Sequence, residues 1–138
     1  MKEYVLYTNL RQFKNLQIPA PFQNIILKDY CHKNKIKFTL PVEEYFFANC
    51  YVELEGILSQ VNKYKGIVMC SIKFLPQKKA FLDYFFLKAK NIEVHFVLEK
   101  LIIKNIKEYK LLYKEIRETS NINEISRRIP FKKLKNFK

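Results

Sequence analysis

A chain of 138 residues and 16.7 kDa, 49% hydrophobic and 15% aromatic, is sized for one domain around one core. Two glycines, five prolines and no low-complexity tract exclude collagen-like and disordered classes. Basic residues outnumber acidic ones 26 to 13, a net charge of +13 that points to an anionic partner, although 22 of the 26 are lysines in an Ile- and Asn-rich chain, where a solvated surface is the ordinary use.

Tyr4 to Thr8 (residues 4–8) is a short β-branched and aromatic run that reads as a buried first strand. After a polar loop, Pro21 suits the first turn of a helix expected over about 21–34, with Phe22, Ile25, Ile26 and Tyr30 on its apolar face. Residues 36–40 alternate up to Pro41 and predict a second strand. A helix over about 50–64 carries Tyr51, Leu54, Ile57, Leu58 and Val61 on one face, and Gly66 is expected to break it. The continuous apolar run 67–72 suits a central parallel strand covered on both sides. A helix over 77–89, a strand over 92–98, a short strand at 101–103 and a helix over about 104–118 follow. Strand and helix alternate throughout, which predicts a single-domain three-layer α/β sandwich with a four- or five-stranded, mostly parallel sheet, Rossmann-like in its layering. The domain is expected over 1–118, with 119–138 as a basic C-terminal extension; residues 100–138 hold 12 basic and 4 acidic side chains.

No apolar run approaches the roughly 18 residues that span a bilayer, and MKEYVLYTNLRQF lacks the apolar stretch of a signal peptide, so a cytoplasmic location is expected. Cys31, Cys50 and Cys70 form no CxxC pair, and His32 and His95 add no ligand spacing, so reduced thiols and no metal site are expected. Without a GxGxxG or GxxxxGK[ST] segment, no dinucleotide, P-loop nucleotide or other cofactor is indicated.

In open α/β sheets, ligands bind at the carboxyl ends of the strands. That rule selects the loops carrying Arg11, Glu44, Tyr45, Asn49, Ser71 and Glu99, with Gln23 and Asn24 at the start of the first helix, where free backbone N–H groups would favour an anion. Glu44 reads as a general base or hydroxyl acceptor, against the commoner exposed loop glutamate. Ser71 reads as a nucleophile or ligand contact, but no glycine-rich elbow surrounds it. Glu99, just past a buried strand, must find a donor such as Arg11 or backbone amides. Tyr45 either stacks on a ring or caps the core. His95, within an apolar strand, reads as a buried, hydrogen-bonded histidine rather than a catalytic one. Glu44, Ser71 and Glu99 are the candidates for chemistry; Arg11, Gln23, Asn24, Tyr45 and Asn49 are the candidates for ligand binding.

The blocks IPAPFQNIILKDYCHKN, EEYFFANCYVELEGIL, KGIVMCSIKFLPQ and IEVHFVLEKLII, in this order, resemble the bacterial sporadic carbohydrate cluster family over about residues 4–103. The resemblance implies a protein of surface-carbohydrate (capsule or lipopolysaccharide) biosynthesis that binds or modifies a sugar, sugar phosphate or nucleotide sugar. It places recurring family positions on Pro19, Pro21, Gln23, Asn24, Tyr30, Glu44, Tyr45, Asn49, Ser71, Leu75, Pro76 and Glu99. The order of elements is also similar to the catalytic domain of serine recombinases, the resolvase group: a Tyr-bearing first strand, Gln23 early in the first helix, Glu44 before the second, and a Glu after the fourth strand. The chain departs from that group at the chemistry. No serine follows the first strand, where Thr8, Asn9, Leu10 and Arg11 stand, and Phe74 and Gln77 occupy the turn that would carry arginines. That resemblance therefore implies fold and not strand exchange.

The alternative function is a non-catalytic nucleic-acid-binding or scaffold protein that uses the basic segment RRIPFKKLKNFK on phosphates, on a partner enzyme or on an anionic membrane face. The apolar stripe from Ile106 to Ile116 meets either its own sheet or a second copy, so a homo-oligomer is among the expected partners.

Overall fold

The aromatic and β-branched residues of EYVLYT form β1 (Glu3–Thr8), whose last five residues are buried. Around it the computed structural model, which describes residues 2–10, 16–46 and 50–118, places α1 (Ala20–Lys33), β2 (Val42–Glu43), α2 (Val52–Ser59), β3 (Tyr64–Met69), α3 (Lys79–Ala89), β4 (Glu93–Phe96), β5 (Leu101–Ile103) and α4 (Ile106–Glu118). Arg11, Asn49 and the expected extension 119–138 lie outside the described residues.

The sheet order is β2-β1-β3-β4-β5, parallel except for the antiparallel pair β4–β5. The chain steps one way from β1 to β2 and the other way from β2 through β3 to β4. With right-handed crossovers, α1 therefore lies on one face, and α2 and α3 lie on the other. Tyr51 meets Phe81 at the α2–α3 contact, while α4 packs on α3 through Phe86, Tyr109 and Tyr113. The Tyr109 hydroxyl donates to the Ile92 carbonyl, so the Tyr109 and Leu112 stripe of α4 is buried against its own domain. The expected α/β architecture stands, with five strands.

Several local expectations are corrected. The strand expected at 36–40 is reduced to a single bridge between Phe38 and Tyr4, and the ladder resumes beyond Pro41 as the two-residue β2. The buried stripe of α1 is Gln23, Leu27 and Cys31, whereas Phe22 and Ile25 are exposed. One polar residue displaces the expected apolar register because its amide bonds the β1 loop, as shown below. α1 ends in a Schellman motif: the Ile36 N–H donates to the Cys31 carbonyl and the Lys35 N–H to that of His32, with Lys35 at φ 54° where glycine is usual. The helix expected over 50–64 stops at Ser59, and a single 3-10 turn at Val61–Lys63 leads directly into β3.

Gly66 lies inside β3 rather than breaking a helix. It pairs with Tyr4 on one side and Glu93 on the other, and the Tyr4 phenol crosses over it to donate to Glu93 Oε1 at 2.6 Å. A Cβ on Gly66 would sit 2.5 Å from the Glu93 carbonyl oxygen and 2.7 Å from Tyr4 Cε2. Gly66→Ala should therefore lower the unfolding free energy by about 1–3 kcal/mol, the usual range for overpacking. Gly56 in α2 has nothing within 4 Å of an added Cβ, so Gly56→Ala should raise stability by about 1 kcal/mol. Urea denaturation of both variants checks the pair; equal effects would contradict this account of Gly66.

Candidate functional site

At the carboxyl ends of the strands, polar side chains meet backbone groups that no strand or helix partner reaches. Beyond β1, Gln23 is fully buried: its Nε2 donates to the carbonyls of Asn9 (2.8 Å) and Ile18 (2.6 Å), and its Oε1 accepts from the Asn9 N–H (3.1 Å). Its amide thus extends the sheet by one side-chain rung. The Asn9 side chain donates to the Tyr7 hydroxyl at 3.2 Å, and Tyr7 donates to Glu44 Oε1 at 2.8 Å.

The Glu44 carboxylate ends this chain and is 3% exposed. Besides Tyr7 it accepts the backbone N–H groups of Tyr45 (3.2 Å), Glu53 (2.9 Å) and Leu54 (3.1 Å). The last two belong to the first turn of α2, whose N-cap Tyr51 has no side chain able to serve them. Glu44 therefore caps α2 from a loop, supplying both acceptor and negative charge at the positive helix end. Burial, together with the adjacent Glu44 charge, pushes the Tyr7 phenol well above its ordinary value, so it remains a donor.

A second network joins the ends of β3 and β4. Glu99 lies in the tight turn between β4 and β5, where Lys100 donates to Val97 and adopts φ 55°. Its Oε2 accepts from Ser71 Oγ at 2.6 Å and its Oε1 from the Ile72 N–H at 3.0 Å; Ser71 Oγ in turn accepts from the Lys73 N–H at 3.1 Å. Burial raises the Glu99 carboxyl, and the bonds from Ser71 and Ile72 offset only part of that. The neighbouring Cys70 thiol is pushed up to about 12 by burial and by the Glu99 charge, so it is no thiolate nucleophile.

The structure thus brings Ser71 to Glu99, and Gln23 to Glu44 through Asn9 and Tyr7. Their polar atoms are engaged by the chain itself. Tyr45 is half-exposed, and Asn24 is half-buried on α1. The expected anion site at the start of α1 is poorly equipped: Pro21 has no N–H, and the N–H groups of Phe22 and Gln23 both donate to the Pro19 carbonyl. Sequence reasoning missed Tyr7, Asn9, Gln17 and Phe46. Tyr7 and Asn9 share a strand face by the two-residue period, which was a usable signal; Phe46 sits in the aromatic triplet YFF on an otherwise polar loop.

Among the described residues, Leu10, Gln17, Pro19, Ala20 and Phe46 line a cleft of about 490 Å3 at this end. Phe46 is 65% exposed, and Gln17 closes the β1 loop by donating to the Leu10 carbonyl at 3.1 Å. Among the described residues, no group of three or more His, Cys, Asp or Glu is arranged to hold a metal ion, and no helix is long and apolar enough to cross a membrane.

The crystal structure of the N-terminal catalytic domain of TP901-1 integrase superposes on this chain with a TM-score of 0.62, covering 91% of this chain and 97% of that one. The fold is resolvase-like. At 13% identity the likeness extends to fold alone. No protein-family profile matches the sequence, and no curated protein matches it.

A raised carboxyl has a defined pH consequence. Folded Glu99 holds its proton at higher pH than the unfolded chain does, so its contribution is fully present below the ordinary value of 4.5 and is lost as pH rises through the raised folded value. The stability of the wild-type protein relative to Glu99→Gln should fall as pH is raised from below 4.5 toward neutrality, measured by urea denaturation across that range. A difference that is flat or rises with pH would contradict this assignment.

Proposed function

We propose that this chain is a cytoplasmic protein of bacterial surface-carbohydrate biosynthesis that binds the sugar part of a sugar, sugar phosphate or nucleotide sugar in the cleft at the carboxyl ends of the strands. The observation that carries the reading is the cleft itself. An exposed aromatic ring, Phe46, lines it together with the apolar residues Leu10, Pro19 and Ala20 and the Gln17 amide. A pyranose presents a C–H face to such a ring and hydroxyls to such an amide. The residue blocks that resemble the sporadic carbohydrate cluster family support the same reading.

In this reading Glu44, Ser71, Glu99 and Gln23 are positioning residues. Each holds backbone that frames the strand ends, Glu44 and Gln23 on the side of the cleft. With Pro21 lacking an N–H and the Phe22 and Gln23 N–H groups bonded to the Pro19 carbonyl, the first turn of α1 gives a phosphate little to hold, so the sugar supplies most of the recognition. The resolvase-like fold does not bring strand exchange with it, since that chemistry needs a nucleophile where Thr8, Asn9 and Leu10 stand.

The test is a thermal-shift screen of nucleotide sugars, sugar phosphates and short DNA duplexes at two salt concentrations. A ligand present at about a hundredfold its Kd stabilises the native state by about 2.7 kcal/mol. The expected result is a shift with a sugar-bearing ligand that is insensitive to salt and is lost in Phe46→Ala. A shift with DNA alone that disappears at high salt would overturn the reading in favour of a nucleic-acid-binding protein.

A further inference from the structure

At the opposite end of the sheet, where the parallel strands begin, four polar side chains from three elements converge. The Tyr4 hydroxyl of β1 donates to Glu93 Oε1 of β4 at 2.6 Å. His95, two residues on and on the same face, places Nε2 3.0 Å from that oxygen and Nδ1 2.6 Å from the Tyr30 hydroxyl at the end of α1. With the imidazole neutral and its proton on Nε2, Nε2–H donates to Glu93 and Nδ1 accepts from Tyr30, so the chain Tyr30–His95–Glu93–Tyr4 is satisfied. Both phenol rings stand edge-on to the imidazole, at centroid distances of 5.2 Å and 5.6 Å.

This cluster borders a cavity of about 190 Å3 lined also by Asn34, Ile36, Ile102 and Lys104. It does not use up the donors and acceptors there. No hydrogen bond among the described residues reaches Glu93 Oε2, the Asn34 Oδ1 or the Lys104 ammonium; Asn34 donates through Nδ2 to the Tyr30 carbonyl, and only the backbone N–H of Lys104 is engaged, by Glu108. The Tyr30 oxygen, which donates its proton to His95, keeps acceptor capacity.

We infer that this cavity is a second ligand site, separate from the strand-end cleft, and that it takes a single neutral polyhydroxylated ring of monosaccharide size. Three observations select that class. The volume lies below the roughly 300 Å3 at which pockets for drug-sized ligands begin. A carboxylate and an ammonium face the same small space, so an anion meets Glu93 and a cation meets Lys104, whereas a neutral polyol satisfies both, donating hydroxyl protons to the carboxylate and accepting from the ammonium. The tyrosine and histidine rings supply an aromatic wall for the C–H face of the ring. Gly66 makes the arrangement accessible, because only a residue without Cβ lets the Tyr4 ring lie across β3 to reach Glu93. Burial alone would raise the Glu93 carboxyl, but the bonds from Tyr4 and His95 and the nearby Lys104 charge outweigh it, so it stays below its ordinary value and is an ionised acceptor at neutral pH. The site stands on its own geometry, and only the kinship of its ligand to that of the strand-end cleft rests on the function proposed above.

The test is titration of the full chain by ligand-observed NMR with glucose, galactose, N-acetylglucosamine, glucosamine and glucuronate. Lys104 is exposed and its side chain holds nothing in place, so Lys104→Ala keeps the fold; Glu93→Gln probes the deeper contact, with circular dichroism to confirm folding. Saturable binding of a neutral sugar that persists in Phe46→Ala and, in that background, is weakened about tenfold by either Lys104→Ala or Glu93→Gln is the expected result. Binding lost in Phe46→Ala but unchanged in Lys104→Ala would overturn the second site and leave the strand-end reading standing. Stronger binding of glucosamine or glucuronate than of neutral sugars would overturn the ligand class, and absence of any binding would overturn the site.

Discussion

The buried carboxylate of Glu44 is the interaction on which the strand-end architecture depends. It joins the first strand, through Tyr7, to the first turn of α2, through the amides of Glu53 and Leu54. Only two glycines are available to the whole chain, and neither lies in a strand-end loop. Tight turns that a glycine-rich protein would build with left-handed backbone are built here with polar side chains that accept or donate to loop backbone: Gln23, Glu44, Ser71 and Glu99. Where left-handed backbone is unavoidable, at Lys35 and Lys100, lysine adopts it. A non-glycine residue there costs on the order of 1 kcal/mol, which the surrounding hydrogen bonds offset.

Much of the fold was legible in the sequence. The apolar run from Ile67 read as a central strand covered on both faces, which holds as far as Met69, and Leu54, Ile57 and Leu58 announced the buried face of α2. What failed did so where a polar residue or a neighbour overrode the pattern. Gln23 turned α1 because its amide finds its hydrogen-bond partners inside the domain, at the backbone of Asn9 and Ile18. Gly66 looked like a helix stop because its partner across the strand, Tyr4, is 62 positions away in sequence and invisible to periodicity. At the candidate site, the sequence pointed to Glu44, Ser71 and Glu99 as polar groups at strand ends. It could not show that their partners would be backbone amides of the same chain, since which N–H groups lack a helix or strand partner is known only once helix ends and turns are placed. His95 was legible as a buried, hydrogen-bonded histidine, but its partner Tyr30 comes from another element.

The two ends of the sheet have divided their polar residues differently. The carboxyl end, where an α/β fold ordinarily places its site, spends most of its buried polar side chains on holding its own loops and leaves a cleft walled by apolar groups. The amino end keeps a carboxylate oxygen, an ammonium, an amide oxygen and a phenol oxygen facing open space. The two sites proposed above thus differ in kind, an aromatic-lined cleft at one end of the sheet and a small polar cavity at the other.

The most direct measurement of the strand-end account is amide hydrogen exchange at Glu53, Leu54 and Ile72. These are helix-start and turn amides that donate to Glu44 and Glu99. Exchange at all three as slow as that of the core strand β3, and much faster exchange of Glu53 and Leu54 in Glu44→Gln, is the predicted result. Exchange in the wild type at the rate of exposed loop amides would contradict it, because the carboxylates would then not be holding the loops that frame the site.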